Sequence, residues 1–342
     1  MRHGFVNDYS EGAHPRVLEH LARGNFDQEP GYGADSRCAR AAELLRAEAA
    51  CPDADVHFLS GGTQANLVVL ASMLRPYESV VAVDSAHIGV HETGAIEATG
   101  HKVHALPGAD GKLDPAGVAR LLDEHTDEHM VRPAAVFVSQ STELGTVYTL
   151  GELSALSALC RERGVYLYLD GARLGAGLAC AQAGMTMADV ARLVDAFYVG
   201  GTKNGALLGE AVVLVNPGLR ERFRFHMKQR GALLAKGRVL GAQFEALFED
   251  GLWYELARHA NAMAGRLADG LAGLGVEFLA PPATNQLFPL LQERTVAALE
   301  REFGFMVWGP RDDGRRVVRL VTSWNTPPEA VEAFLEAFGR AV

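Results

Sequence analysis

The sequence predicts an α/β fold: a large, doubly wound, mostly parallel β-sheet of seven strands, followed by a smaller C-terminal α+β unit. Three observations carry this. From about Val56 to Val215, short apolar runs alternate with stretches of helical periodicity. Beyond residue 240 the alternation gives way to long helical periodicity and then to a few separated strand-like runs. Glycine, threonine, aspartate and lysine gather just after several of the strand-like runs, where an open α/β sheet collects its ligand-binding loops.

Taken in order, the strand candidates are Val56–Leu59, Val80–Val83, Lys102–Leu106, Ala134–Val138, Val165–Leu169, Ala196–Val199 and Ala211–Val215. Most are continuous apolar runs, as expected of strands covered on both faces. Helical periodicity fills most gaps, for instance Asn66–Leu74 before Arg75-Pro76 and Leu150–Arg163 before Gly164. That succession is the pattern of a doubly wound sheet. Helical stretches follow over Leu219–Met227 and Leu240–Leu274. The last part reads as strands Val276–Leu279 and Gln286–Leu291, a helix Thr295–Phe303, strands near Phe305–Trp308 and Val317–Val321, and a final helix Pro328–Ala341. The expected division is an N-terminal segment, 1–12, a large domain, 13–240, and a small domain, 241–342.

A chain of 342 residues can bury a large core in two domains. A formal net charge of −10 argues against general binding to nucleic acid or to anionic membranes. Cys38, Cys51, Cys160 and Cys180 show no metal or CxxC spacing, which predicts unpaired thiols in a reducing compartment. The N-terminus has no apolar signal-like core, and no span approaches a membrane helix in length. Together these features predict a cytoplasmic protein.

The chemistry gathers at the expected strand ends. Lys203 in Gly200-Gly201-Thr202-Lys203-Asn204 and Asp170 in Leu169-Asp170-Gly171-Ala172-Arg173 each follow a strand-like run. A lysine among small neighbours can form an imine while an aspartate meets a ring nitrogen, the pairing that pyridoxal phosphate enzymes use. Taken singly, Asp170 is equally a helix cap and Lys203 a solvated loop lysine. Ser60-Gly61-Gly62-Thr63 ends the first strand and opens a helix, so its glycines, hydroxyl and helix N-terminus can cradle a phosphate. A glycine turn capped by Thr63 is the competing reading.

His87 and His91 lie four apart, with Glu92 beside them. One reading is a zinc site, although the HExxH order and a third ligand are missing. Another stacks His87 on a cofactor ring, with Glu92 near enough for proton work. Polar residues capping a loop are the third. Arg319, flanked by apolar residues on a strand of the small unit, suits bidentate capture of a substrate carboxylate, unless it sits exposed at a sheet edge. The basic connection Lys228-Gln229-Arg230-Gly231 and Lys236-Gly237-Arg238 reads either as a phosphate donor, possible across a dimer, or as solvated surface charge.

These residues resemble the threonine aldolase family, within the fold-type-I, aspartate-aminotransferase-like pyridoxal phosphate (PLP) enzymes. The resemblance runs from Phe5-Val6-Asn7-Asp8 to Val317-Val318-Arg319-Leu320-Val321-Thr322. Its most specific elements are Leu169-Asp170-Gly171-Ala172-Arg173-Leu174, the His87-to-Glu92 spacing, and Lys203. It implies Lys203 as the Schiff-base lysine, Asp170 as partner of the pyridine nitrogen, Gly61, Gly62 and Thr63 at the phosphate, and His87 stacked on the ring. It further implies Arg173 and Arg319 at the substrate carboxylate or the phenolic oxygen, and Glu92 beside the substrate side chain.

The chain departs from the family at three places. Val6-Asn7-Asp8-Tyr9 stands for Arg-Ser-Asp-Thr, so that a serine contact to carboxylate falls to Asn7. Ser139-Gln140-Ser141-Thr142-Glu143 stands for Glu-Asn-Thr-His-Asn, which puts Thr142 where the family has a histidine. Gly201-Thr202-Lys203-Asn204 replaces the commoner residues around the lysine.

The implied activity is a PLP-dependent cleavage of L-threonine or L-allo-threonine to glycine and acetaldehyde, with His87, or Glu92 through water, as base. A β-eliminating lyase or aminotransferase on the same scaffold is the alternative. An anion- or metal-binding protein built on His87 and His91 is the rival of another class. The resemblance also implies a homodimer or homotetramer with shared active sites.

Overall fold

The structure, a computed structural model, describes residues 4–310 and 313–342; residues 1–3 of the expected N-terminal segment lie outside it. Seven strands form the large sheet: β1 (Asp55–Leu59), β2 (Glu78–Val83), β3 (Val103–Leu106), β4 (Arg132–Ser139), β5 (Tyr166–Asp170), β6 (Ala196–Gly200) and β7 (Glu210–Leu214). Their order is β1-β7-β6-β5-β4-β2-β3. β7 runs antiparallel to both neighbours, and every other pairing is parallel.

That topology assembles the site. β1 and β6 are each antiparallel to β7, so β1 to β6 all end at one edge of the sheet, and β7 begins there. The segments carrying Ser60–Thr63, His87, Ser139–Glu143, Asp170–Arg173 and Lys203 therefore converge, although they span more than a third of the sequence. β2, β6 and β7 are buried along their whole length, which explains why they read as continuous apolar runs.

The helices follow local signals where those are strong. Leu150–Arg163 starts with a reciprocal capping box between Thr149 and Glu152 and stops at Gly164, whose φ of +63° ends the helix. The expected helix over 240–274 is instead two, Arg238–Phe248 and Leu252–Gly273, because Gly251 between them takes φ +69°. The stretch 219–227 is likewise divided, into a single turn Pro217–Leu219 and a helix Phe223–Gln229.

A second sheet contains β8 (Gln286–Leu287), β9 (Leu290–Gln292), β10 (Met306–Pro310) and the central β11 (Arg315–Val321), all antiparallel. The expected strand 286–291 is split at Phe288-Pro289, where proline has no amide to donate to a ladder. Val276–Leu279 is not a strand: Phe278 makes only an isolated bridge to Pro289. The helix expected over 295–303 runs from Glu293 to Leu299, with turns after it.

Among the described residues two large apolar cores result, one around the large sheet and one around Met263, Leu267, Val318, Leu320, Phe334 and Phe338, with a small third cluster of Phe288, Leu290 and Val317. The helix Leu252–Gly273 joins them, with Trp253 and Leu256 in the first and Met263 and Leu267 in the second. A division at 240/241 falls inside the helix Arg238–Phe248, which packs in the first core. Phe5, fully buried in the second core, lies edge-on to Phe334 at 5.2 Å, and its carbonyl accepts from Val321 N–H. Burying such a ring contributes roughly 1.5–3 kcal/mol, enough to fix the path of the N-terminal segment over the site. Among the described residues, no helix is long and apolar enough to cross a membrane.

Candidate active site

Lys203 lies in the turn between β6 and β7. The turn is pressed against the end of β5: Gly200 N–H donates to the Gly171 carbonyl at 2.9 Å. Glycine is required on both sides of this crossing. A Cβ on Gly171 would stand 1.8 Å from the Tyr198 carbonyl oxygen, and one on Gly200 2.3 Å from that of Ala172. Among the described residues the Lys203 amine makes no hydrogen bond or ion pair. Burial, helped by the nearby Arg173 charge, lowers its pKa below the ordinary lysine value, which favours the neutral, nucleophilic amine.

Asp170, the last residue of β5, is buried and held from three directions. Its Oδ1 accepts from Tyr198 OH at 2.6 Å and Ala172 N–H at 2.9 Å, and its Oδ2 from Asn66 Nδ2 at 3.0 Å. Asn66 uses its other amide hydrogen on Glu92 Oε1 at 2.8 Å and accepts from Tyr168 OH at 2.9 Å. Glu92 Oε1 also meets His87 Nδ1 at 2.8 Å. One chain of hydrogen bonds thus runs from His87 through Glu92 and Asn66 to Asp170 and Tyr198. Burial opposes charge on His87, but the hydrogen bond to Glu92, with the fields of Glu143 and Asp170, raises its pKa above the usual histidine value.

The helix Gly62–Met73 begins at the same edge. Gly61, its N-cap, offers no side-chain cap, so the first amides of the helix point outward unsatisfied by any side chain there. Gln64 turns back to accept from Ser60 N–H and Oγ, and its amide donates to the Arg230 carbonyl at 3.3 Å. Beside half-buried Gly61, where an added Cβ would meet nothing within 4 Å, and exposed Thr63 there is open space for an anion, while Gly62 packs against the Tyr198 hydroxyl.

The two arginines differ in their partners. Arg173 is bound bidentately by Asp8, Nε–Oδ2 at 2.7 Å and Nη2–Oδ1 at 3.0 Å, with both groups buried. Arg319 meets a neutral amide: its Nε and Nη2 donate to Gln286 Oε1 at 3.2 and 2.6 Å, and its guanidinium lies 5.6 Å from the Trp308 ring. Burial and the Arg173 charge push the Arg319 pKa down to about 10, the mark of a buried cation short of an anion.

A cavity of about 310 Å³ lies at this edge, and Gly61, Gly62, Thr63, His87, Asp170 and Lys203 line it. Glu143 and Glu210 also line it and were not expected there. Glu210 opens β7, accepts from Gly201 N–H at 3.2 Å, and burial raises its pKa to about 8.

Glu92 does not lie beside the space for a substrate, because its side chain is wholly enclosed beneath His87. The Asn7 side-chain oxygen Oδ1 is engaged in a turn, accepting from Tyr9 N–H and Ser10 Oγ, each at 2.9 Å. Arg173 and Arg319 are not among the residues that line the cavity. His91 and His87 have ring centroids 5.5 Å apart, but among the described residues no cluster of three metal-ligating side chains exists. The basic connection is not without partners in its own chain. Lys228 lies over the Tyr32 ring at 4.8 Å and Arg238 donates to the Asp27 and Asn25 carbonyls, yet among the described residues none of these cations meets a carboxylate.

Asn66, Tyr198, Asp8, Gln286, Glu143 and Glu210 were missed as site residues. Asp8 and Glu143 lie inside stretches that carry the family resemblance, and Asn66 starts a predicted helix; a buried polar residue in an apolar helix face or at a strand terminus is the available signal.

The donor set fits PLP: a lysine amine free of partners, a fixed carboxylate, and a helix N-terminus open to a phosphate. The comparisons agree. The chain matches the beta-eliminating lyase family over residues 10–294. A low specificity L-threonine aldolase of a Pseudomonas species is 36% identical over 99% of this chain and 97% of its own. Another, of Pseudomonas aeruginosa, is 36% identical over 96% of this chain and 94% of its own. The solved threonine aldolase of Leishmania major superposes with a TM-score of 0.97 at 49% identity, over 99% of each chain. Aspartate aminotransferase of Thermus thermophilus, 20% identical with a TM-score of 0.75 over 100% of this chain and 92% of its own, shares the fold.

Proposed function

The chain belongs to the beta-eliminating lyase family and is a PLP-dependent lyase, and on that premise we propose the roles of its residues in cleaving L-threonine and L-allo-threonine to glycine and acetaldehyde. One observation carries the assignment: Lys203, Asp170 and the uncapped helix start at Gly61–Gly62 border a single cavity.

When bound, the cofactor supplies an electron sink for the pair left on Cα when a bond to that carbon breaks. Lys203 would hold it covalently. Gly61, Gly62 and Thr63 would hold its phosphate, and Asp170, fixed by Asn66, Tyr198 and the Ala172 amide, would keep its ring nitrogen protonated. His87, its own ring held by Glu92, would pack against its ring. Arg319 binds the substrate carboxylate, exchanging a neutral amide partner for an anion, while Arg173 is kept in place by Asp8. A carboxylate held at one end limits which Cα bond is presented for cleavage, and presentation of Cα–Cβ selects the aldolase reaction.

The assay is direct. Purified protein with PLP should release glycine and acetaldehyde from L-threonine. Pyruvate from serine without acetaldehyde from threonine would replace this reading with β-elimination.

We also propose a homodimer or a pair of dimers with active sites completed across the interface. The support is that the basic segment starts beside the phosphate loop, through the Gln64–Arg230 contact, and that its exposed Lys228 and Lys236 meet no carboxylate. A fully active monomer in sedimentation would refute it. A cytoplasmic setting is supported by four unpaired cysteines. For the domain division, we propose that the small domain begins within Leu252–Gly273, where that helix passes from one core to the other.

A further inference from the structure

Glu143 is the one carboxylate at the cavity that neither pairs with a neighbour nor belongs to the Asp170 network or the Lys203 turn. It lines the cavity with His87 and Lys203, and among the described residues it makes no hydrogen bond and no ion pair. Its negative charge nonetheless acts on His87, Lys203, Arg173 and Arg319 alike, so it stands among the basic groups of the site without being claimed by any.

The turn that carries Glu143 is rigid. Thr142 N–H donates to the Thr146 carbonyl at 2.9 Å, the two threonine hydroxyls meet at 2.7 Å, and Thr284 Oγ1 donates to the Gly145 carbonyl at 2.7 Å. Gln286 ties this turn to the carboxylate anchor: its Oε1 accepts from Arg319 while its Nε2 donates to the Thr142 carbonyl at 3.3 Å. A substrate held by Arg319 therefore meets a side chain whose backbone is fixed relative to that anchor. The other candidate acceptors are weaker. Glu92 is enclosed, and His87 is drawn toward its charged form.

We propose that Glu143 is the base that accepts the β-hydroxyl proton during cleavage, an assignment that rests on the aldolase reading above. The hydroxyl proton passes to the Glu143 carboxylate, the oxygen's electron pair forms the aldehyde C=O, and the Cα–Cβ bond breaks with its electrons retained at Cα. A proton then returns to Cα, and glycine is released.

The test compares wild-type holoenzyme with Glu143→Gln in three measurements. These are acetaldehyde release from L-threonine across pH, deuterium exchange at Cα of glycine, and equilibrium binding of glycine read from the visible spectrum. Glycine has no β-hydroxyl and needs no such base. The expected result is loss of threonine cleavage by about a hundredfold or more at every pH, a general-base contribution. Glycine binding and exchange should stay within about threefold, since positioning is untouched. Threonine cleavage within threefold of wild type would overturn the proposal, and so would equal losses in cleavage and glycine exchange. Absence of acetaldehyde from the wild type itself would instead sink the aldolase reading, and this assignment with it.

Discussion

Asp8 and Arg173, far apart in sequence, form a buried bidentate ion pair at 2.7 and 3.0 Å that links the N-terminal segment to the loop after β5. Asn285 adds a third contact, donating to Asp8 Oδ2 at 3.0 Å. The pair divides the labour of the two site arginines, because Arg173 already has its anion and Arg319 does not.

Asp8→Asn should therefore damage the protein more than Arg319→Gln does. Leaving Arg173 buried without its carboxylate should cost about 3–5 kcal/mol of unfolding free energy, measured by urea denaturation of the apoprotein. A loss below about 1 kcal/mol would mean that Arg173 finds another partner or reaches water.

Arg319→Gln should fold and take up PLP normally but bind amino acids poorly. Loss of a charge-assisted contact of about 1.5–3 kcal/mol should lower kcat/KM for threonine by roughly 10- to 150-fold. Unchanged kcat/KM would move the carboxylate anchor elsewhere.

Lys203→Ala should lose the absorbance band that borohydride traps in the wild type. An undiminished, reducible band in this variant would assign the covalent link to another lysine. Asp170→Asn should retain PLP and lose most activity, because a neutral amide no longer holds the ring-nitrogen proton. Full activity would reject that role.

Glu210 predicts a pH dependence of apoprotein stability. Its folded pKa of about 8 lies above the ordinary glutamate value of 4.5, so the folded state binds a proton that the unfolded state has released between those values. The stability linked to that proton is present below the unfolded pKa and is lost as pH rises through the folded one, with a limiting slope of about 1.4 kcal/mol per pH unit. Lys203, Asp170, Tyr168 and Tyr198 are the titratable groups whose charges couple to it. Glu210→Gln should flatten the fall in melting temperature between pH 5 and 8, and an unchanged slope would assign the effect to other groups.

L-threonine and L-allo-threonine should be cleaved with less than roughly hundredfold discrimination, since more would need a buried group worth about 3 kcal/mol reading the hydroxyl. Thr142, which the family resemblance puts where a histidine is usual, has its hydroxyl engaged by Thr146. A stronger preference for one epimer, measured as acetaldehyde release from each, would show that a buried hydroxyl-reading group exists besides Glu143.

The sequence by itself determined the seven strands of the large sheet and placed Lys203, Asp170, His87 and the glycines of Gly61-Gly62 in the loops at their ends. These follow from local rules: burial on both faces makes a continuous apolar strand, and the end of such a strand in a doubly wound sheet is where ligands bind. The tertiary structure alone decided which side chains meet. It set Asn66 between Glu92 and Asp170, enclosed Glu92 beneath His87, gave Arg173 to Asp8 and left Arg319 with an amide, and brought Glu143 and Glu210 to the cavity. It also divided the helix at Gly251 and the strand at Pro289. Helical and strand periodicities are properties of neighbouring residues, whereas a buried hydrogen-bond network is satisfied by partners that only the packed chain brings within about 3 Å.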